Sequence, residues 1–234
     1  MLTVSLGGGR DCQLSGAICL TPFPPLFLLV DLPQHLLQPQ ADTVATATAA
    51  AAVHDALVTA SHRHGPHSSV HMAPGTPVIL HGLTPSGEDW QKISTTIRDV
   101  SVYVVPAYHD KSRGMQRGKN AIFVFKIDDI CIAHLGDLGH VLTPDQLKMM
   151  GKIDILLVPI AGGYFTVTPS EAREVTKLVN PKIAIPKHFW WDQAVQEYTQ
   201  GLTRVKMLST PVLKISKQEL PQPIETMVMP WGQR

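Results

Sequence analysis

The sequence predicts an α/β protein in which helices cover the outside of a layered β-sheet. Strand patterns come first, over residues 77–133, and strand and helix then alternate over residues 143–186. Two helix starts share the same four-residue chemistry, and the stretch between them is continuously apolar, as in a strand buried on both faces. With 234 residues, 44% hydrophobic and 17% charged, the chain can bury a sizeable core. One domain over residues 1–234 is expected, with residues 1–54 atypical of the rest.

Residues 17–30 are apolar, but Pro22, Pro24 and Pro25 interrupt them and the run is shorter than a membrane span requires. Arg10 precedes the run as in a signal peptide, yet no small-residue cleavage site follows closely. Residues 26–31 read instead as a buried strand. Residues 45–52 are nearly all Ala and Thr, either a helix extension or a tolerated insertion. Residues 56–60 form an apolar run, and residues 77–80 and 96–105 read as strands. Residues 120–127 and 130–133 read as a hairpin turning at Asp128-Asp129.

Thr143-Pro144-Asp145-Gln146 and Thr168-Pro169-Ser170-Glu171 each supply a capping hydroxyl, a proline at the first helical position and Gln or Glu at the third. The first helix leads to Leu147 and Met150. The second runs to about Val179, where Asn180-Pro181 stops it. Residues 153–159 are the continuous apolar strand between them, and residues 182–186 follow as another.

Three histidines crowd the stretch His62-Arg63-His64-Gly65-Pro66-His67 directly after the run 56–60. A metal ion is the commonest chemical reason for such crowding, because imidazole is a good ligand for zinc, iron, nickel or copper. A solvated histidine-rich turn is the alternative. The one-residue gap between His62 and His64 suits an extended loop leaving a strand, since a helix would place ligands three or four apart. Three further candidate ligands follow apolar runs in the same way: His109 after residues 100–106, Asp137 with His134 after 130–133, and His188 after 182–186. Loops at one end of the strands of an α/β sheet gather at one crevice, where such groups can meet.

Charge excludes some functions. Twenty Lys and Arg against nineteen Asp and Glu give +1, without a basic run, so nucleic-acid binding has no electrostatic support. Cys12, Cys19 and Cys131 form no C-x-x-C pair and are too few for a disulfide framework, which fits a reducing cytoplasm. No membrane partner is expected.

The pattern resembles the metallo-β-lactamase superfamily, whose motif H-x-H-x-D-H is followed by a distant His, a distant Asp and a final His. These fall here at His62, His64, His67, His109, Asp137 and His188. The resemblance spans residues 56–188, and Pro106-Ala107-Tyr108-His109-Asp110, Arg117-Gly118-Lys119-Asn120, His134-Leu135-Gly136-Asp137 and Ile185-Pro186-Lys187-His188 are similar to the branch of ascorbate-6-phosphate lactonase-like and other small metal-dependent hydrolases. It implies a four-layer αββα sandwich with metals at one edge. It assigns His62, His64 and His109 to a first metal, His67 and His188 to a second, and Asp137 to both, with Asp137 and His188 as catalytic positions.

The implied activity is hydrolysis of a small ester, lactone or phosphate-bearing substrate by a metal-bound hydroxide, with one or two zinc ions, or Mn or Fe, as cofactor. Pro66 replaces the motif Asp and offers no side-chain ligand, so the second metal position is weakened. The alternative is a non-catalytic descendant that keeps the fold and an impaired site. Nucleic-acid-processing relatives are a third class that the charge balance disfavours. His134 and His140 are expected to pack beside a strand end or support the site. Lys119 and Arg117 are either a phosphate or carboxylate contact or solvated loop charge. Tyr164 and Phe165 stand at the pocket mouth or in the core.

Overall fold

The run of strands expected ahead of the first capped helix forms two sheets stacked face to face. The computed structural model describes residues 2–6, 17–20, 28–31, 56–63, 78–164, 166–210 and 212–230. Its first strands are β1 Leu2–Leu6, β2 Ala17–Leu20, β3 Leu28–Asp31, β4 Ala56–Ala60 and β5 Val78–His81. Then come β6 Ser94–Ile97, β7 Val100–Tyr108, β8 Lys119–Ile127 and β9 Ile130–His134. Strand and helix alternate next, through α1 Pro144–Met150, β10 Ile155–Pro159, α2 Pro169–Val179, β11 Ile183–Lys187 and α3 Asp192–Thr199. Strands β12 Val205–Met207, β13 Val212–Ile215 and β14 Glu225–Val228 complete the set.

The first sheet runs β13-β1-β2-β3-β4-β5 and the second β12-β14-β11-β10-β9-β8-β7-β6. Strand β8 shows how the pleat feeds two cores, because successive side chains point to opposite faces. Phe123 and Phe125 join Leu57, Leu213 and Ile215 of the facing sheet, whereas Ile122 and Val124 join Val175, Val195 and Tyr198 of the helices. The outer face of the eight-stranded sheet is thus covered by helix. The helical layer expected over the six-stranded sheet is not among the described residues.

Local chemistry sets the boundaries. Thr143 and Thr168 both close full capping boxes, with Thr143 N–H donating to Gln146 Oε1 at 2.9 Å and Thr168 N–H to Glu171 Oε2 at 2.9 Å. Such caps contribute about 1 kcal/mol each. Helix α2 ends where Asn180 turns left-handed at φ 51°. Asp128 and Asp129, at φ 49° and 62°, make the tight turn of the β8–β9 hairpin, as both central residues of a type I′ turn require. The run 96–105 divides at Arg98, whose φ of 56° reverses the chain, so that β6 and β7 pair antiparallel. Strand β10 is buried at all five residues, between β9 and β11.

The strand expected over residues 26–31 corresponds to β3, and the Ala and Thr tract 45–52 lies outside the described residues. No helix among the described residues is long and apolar enough to cross a membrane.

Candidate metal centre

Four of the strand ends deliver one polar side chain each to the same edge of the sandwich. His62 follows β4, His109 follows β7, Asp137 follows β9 and His188 follows β11. The Nε2 atoms of His62, His109 and His188 lie 3.5, 3.6 and 3.4 Å from a single atom, Asp137 Oδ2. All four side chains are 3–4% exposed. These separations exceed the roughly 2.9–3.0 Å usual for N–H···O hydrogen bonds. They match instead two ligands on one tetrahedral cation: at about 2.0–2.1 Å from the ion, neighbouring ligand atoms stand about 3.3–3.4 Å apart. The ligand atoms of His62, His109 and Asp137 all lie within 4.8 Å of one another, and the donor set is that of a transition-metal site.

His62 and Asp137 are held from behind. Ser61 Oγ lies 3.0 Å from His62 Nδ1 and fixes the ring that presents Nε2 to the carboxylate. Asn120, fully buried, donates from Nδ2 to Leu135 O at 2.9 Å and accepts Asp137 N–H at Oδ1 at 3.0 Å, clamping both ends of the Leu135-Gly136-Asp137 turn. Lys187 Nζ donates to Gly136 O at 2.7 Å and stands 3.9 Å from Asp137 Oδ1. One carboxylate oxygen thus faces the imidazoles and the other faces the ammonium. Gly136 sits at φ 58°, where a Cβ would meet Asn120 Oδ1 at 2.2 Å, so only glycine lets the turn close on its clamp. His188 itself adopts φ 53°, a conformation that costs a side-chain residue about 1 kcal/mol or more, and its ring packs edge-on against Trp190 at 4.8 Å.

The electrostatics follow from this crowding. Burial disfavours the charged form of Asp137, but His188 and His62, then Lys187 and His109, outweigh it and hold the carboxyl well below the usual carboxylate range. Burial, opposed only by Asp137, lowers Lys187 to about 8. His134 is driven well below its ordinary value, by burial first and then by Lys187, so it stands neutral behind the site. Its Nδ1 accepts Gly136 N–H at 3.3 Å.

Among the other expected residues, His140 is structural: Nε2 accepts Tyr108 N–H at 3.2 Å and Nδ1 lies 2.9 Å from Val141 O. Lys119 reaches Glu88 O, Asp89 and the Trp90 ring, away from the imidazoles. Arg117 stacks on Tyr164, with 3.5 Å from Cζ to the ring centroid, and Tyr164 is 75% exposed at the pocket mouth. His64, Pro66, His67 and Phe165 lie outside the described residues. Sequence reasoning passed over Ser61, Asn120 and Lys187 as supports. For Lys187 a signal existed, a lone cation in a five-residue strand otherwise apolar.

Comparison with known proteins identifies the family. The model of the beta-lactamase superfamily domain matches residues 28–188. A UPF0173 metal-dependent hydrolase of Thermococcus kodakarensis is 30% identical over 160 residues, 60% of this chain and 70% of that protein. Another from Caldivirga maquilingensis is 36% identical over 91 residues, which span 39% of this chain and only 38% of the relative. A crystal structure from Thermotoga maritima, a candidate Zn-dependent hydrolase of the metallo-beta-lactamase superfamily, superposes with a TM-score of 0.58 at 30% identity, covering 74% of this chain and 89% of that one. The chain belongs to the beta-lactamase superfamily.

Proposed function

We propose that the protein is a metal-dependent hydrolase of a small ester, lactone or phosphate-bearing substrate. The observation that carries this reading is the convergence of three imidazole Nε2 atoms on Asp137 Oδ2 at 3.4–3.6 Å. Relatives named metal-dependent hydrolases support the reaction class. In this reading His62 and His109, with His64, would hold a first cation, zinc by its liking for this donor set. His188 and His67 belong to a second position, and Asp137 serves both. A cation held there would supply a water activated for attack at neutral pH and a Lewis acid for the oxygen that gains charge.

The chain's own contribution is positioning. Ser61 orients His62, Asn120 and Lys187 orient Asp137, and the packed strand ends keep bulk water away from the imidazoles. Because Pro66 supplies no carboxylate, the first position fills readily and the second poorly. The protein acts on small molecules rather than nucleic acid, in keeping with its net charge of +1, and works in the reducing cytoplasm.

Pro66 favours a second reading, a binding protein descended from the enzymes. Assays with p-nitrophenyl esters, bis-p-nitrophenyl phosphate and simple lactones separate the two. Turnover that chelation abolishes and Asp137→Ala removes is the expected result. A metal-loaded protein inert towards every substrate class, yet strongly activated by Pro66→Asp, sinks the hydrolase reading and leaves the binding protein.

A further inference from the structure

Helix α3 begins on a residue that its own stability argues against. Thr143 and Thr168 cap α1 and α2 through their hydroxyls, but Trp191 stands at the N-cap of α3 and makes no side-chain capping bond. An Asp or Ser at that position would satisfy one of the first N–H groups of the helix. The Trp191 side chain is 66% exposed, so most of a large apolar surface stays in water. A residue that gives up a cap and gains little burial calls for a reason outside the fold.

Its neighbours supply one. The segment Phe189-Trp190-Trp191 leads directly from His188 into α3. The Trp190 ring packs edge-on to the His188 imidazole at 4.8 Å, and the Trp191 ring stands against Trp190 at 5.9 Å and 60°. Two ring-to-ring steps thus connect an imidazole of the candidate metal centre with an indole in solvent, which is within the span of a small molecule. Met115, in the β7–β8 segment that starts at His109, and Tyr164, in the segment after β10, are also exposed on loops of the same edge. Single exposed apolar side chains are ordinary on a surface, but a large one joined ring to ring to a candidate ligand is not.

We propose that Trp191, backed by Trp190, is the platform for an aryl or comparably flat apolar group of the substrate, carried on the molecule whose polar end meets the metal centre. The proposal rests on the hydrolase reading for the word substrate, but the binding step needs no turnover. An indole takes an aryl ring by offset or edge-on stacking, and its contact with Trp190 restrains it beforehand, so little freedom is lost on binding. Trp191 is then a specificity-determining residue: compact polar substrates gain nothing from it.

The test is a calorimetric titration of phenylphosphonate, and separately of methylphosphonate, into the protein as purified, with bound metal measured on the same samples. Both probes carry the same anionic end, so the ratio of their affinities isolates the apolar group. Wild type is expected to bind phenylphosphonate about tenfold more tightly, Trp191→Ala to cut that ratio to about twofold, and Trp191→Phe to keep about half of it, at equal metal content. Trp191→Ser guards against misfolding as the cause: it restores a capping hydroxyl, so it should melt no earlier than wild type and still lose the preference. A ratio unchanged by Trp191→Ala, or a wild type that binds the two phosphonates equally or not at all, overturns the proposal. So does a variant whose one defect is lost sedimentation with phosphatidylcholine vesicles, which assigns the ring to a lipid surface. A protein that keeps its phenyl preference through Trp191 and hydrolyses nothing removes the hydrolase reading and leaves the platform standing.

Discussion

Adding one methyl group at Gly139 separates damage to the metal centre from damage to the fold. A Cβ built there meets His109 C at 2.3 Å, Asp110 N at 2.4 Å and His109 O at 2.5 Å, all of them backbone atoms. Real Cβ contacts essentially never fall under 3.0 Å, so the end of β7 must retreat by about 0.7 Å. Gly139 N–H also donates to Tyr108 O at 3.0 Å, which ties the two segments together and leaves the strand end little other way to yield. Overpacking of this kind costs about 1–3 kcal/mol, and each kcal/mol lowers Tm by about 2–4 °C in a chain of this size.

The displaced residue is His109, and ligand distances tolerate only about 0.2 Å. Gly139→Ala is therefore expected to weaken metal affinity by about 10–100-fold, the range seen when the support of a ligand is lost. Gly151→Ala is the control. Its φ of 67° strains any side-chain residue by about 1–3 kcal/mol, but nothing lies within 4 Å of its Cβ and it is remote from the imidazoles in the chain. Thermal melts and competition against a chromophoric chelator read the two effects. Both variants should melt early and only Gly139→Ala should lose metal. Equal metal affinity in the two variants refutes the reasoning.

Asn120→Ala strips the clamp from the Asp137 turn and leaves Leu135 O and Asp137 N buried without it, at about 1–3 kcal/mol each, so a melt lowered by several degrees and a weaker metal titration are expected together. Lys187→Met leaves the Asp137 charge buried beside no ammonium. The metal-free protein should lose about 3–5 kcal/mol in urea unfolding and regain much of it when zinc is added, and a loss insensitive to zinc argues against a cation on Asp137. Glu171→Gln keeps the cap of α2 but loses the Lys111 pair. Although burial opposes ionisation, Lys111 and Thr168 depress the Glu171 carboxyl, so its stabilisation is present above the unfolded pKa of about 4.3 and disappears as pH falls through the lower folded value. Wild type should therefore exceed the variant by about 0.5–1 kcal/mol at pH 6, and the two urea midpoints should converge near pH 3. A gap that widens towards acid would falsify that assignment.

Where one short segment carries its own geometric instruction, the fold was legible in the sequence. The capping threonines name the starts of α1 and α2 because the cap is built from residues three apart. Asp128-Asp129 names a hairpin because two adjacent aspartates tolerate positive φ, and β10 declares its burial by having no polar side at all. Helix α3 was not visible, since Trp191 at its N-cap makes no side-chain capping bond and the residues before it belong to the site. Strands β12 and β14 were missed for a related reason: β12 is exposed along its whole length, and β14 is identified as a strand by its partners β11 and β12.

The site divides in the same way. His62, His109, Asp137 and His188 each follow an apolar strand, and that shared position marks all four in the amino-acid sequence itself. Asn120 and Lys187 act on the Asp137 turn through contacts between segments distant in sequence, so no local pattern reveals that role, whereas Ser61 stands next to His62 in the chain and Lys187 shows only as a lone cation in an apolar strand. Asp110 stands between the two cases. Its carboxylate accepts four backbone N–H groups close by in the chain, from Ser112, Gly114, Gln116 and Arg117, but its neighbour His109 drew the chemical attention.

The claim on which the rest depends is that a cation sits among these side chains, and anomalous diffraction from crystals grown without chelator measures it most directly. Data collected above and below the zinc absorption edge should place one strong peak within ligand distance of His62 Nε2, His109 Nε2 and Asp137 Oδ2, with a weaker or missing second peak beside His188. No peak at this edge of the sandwich, for zinc or for any other transition metal, contradicts the account.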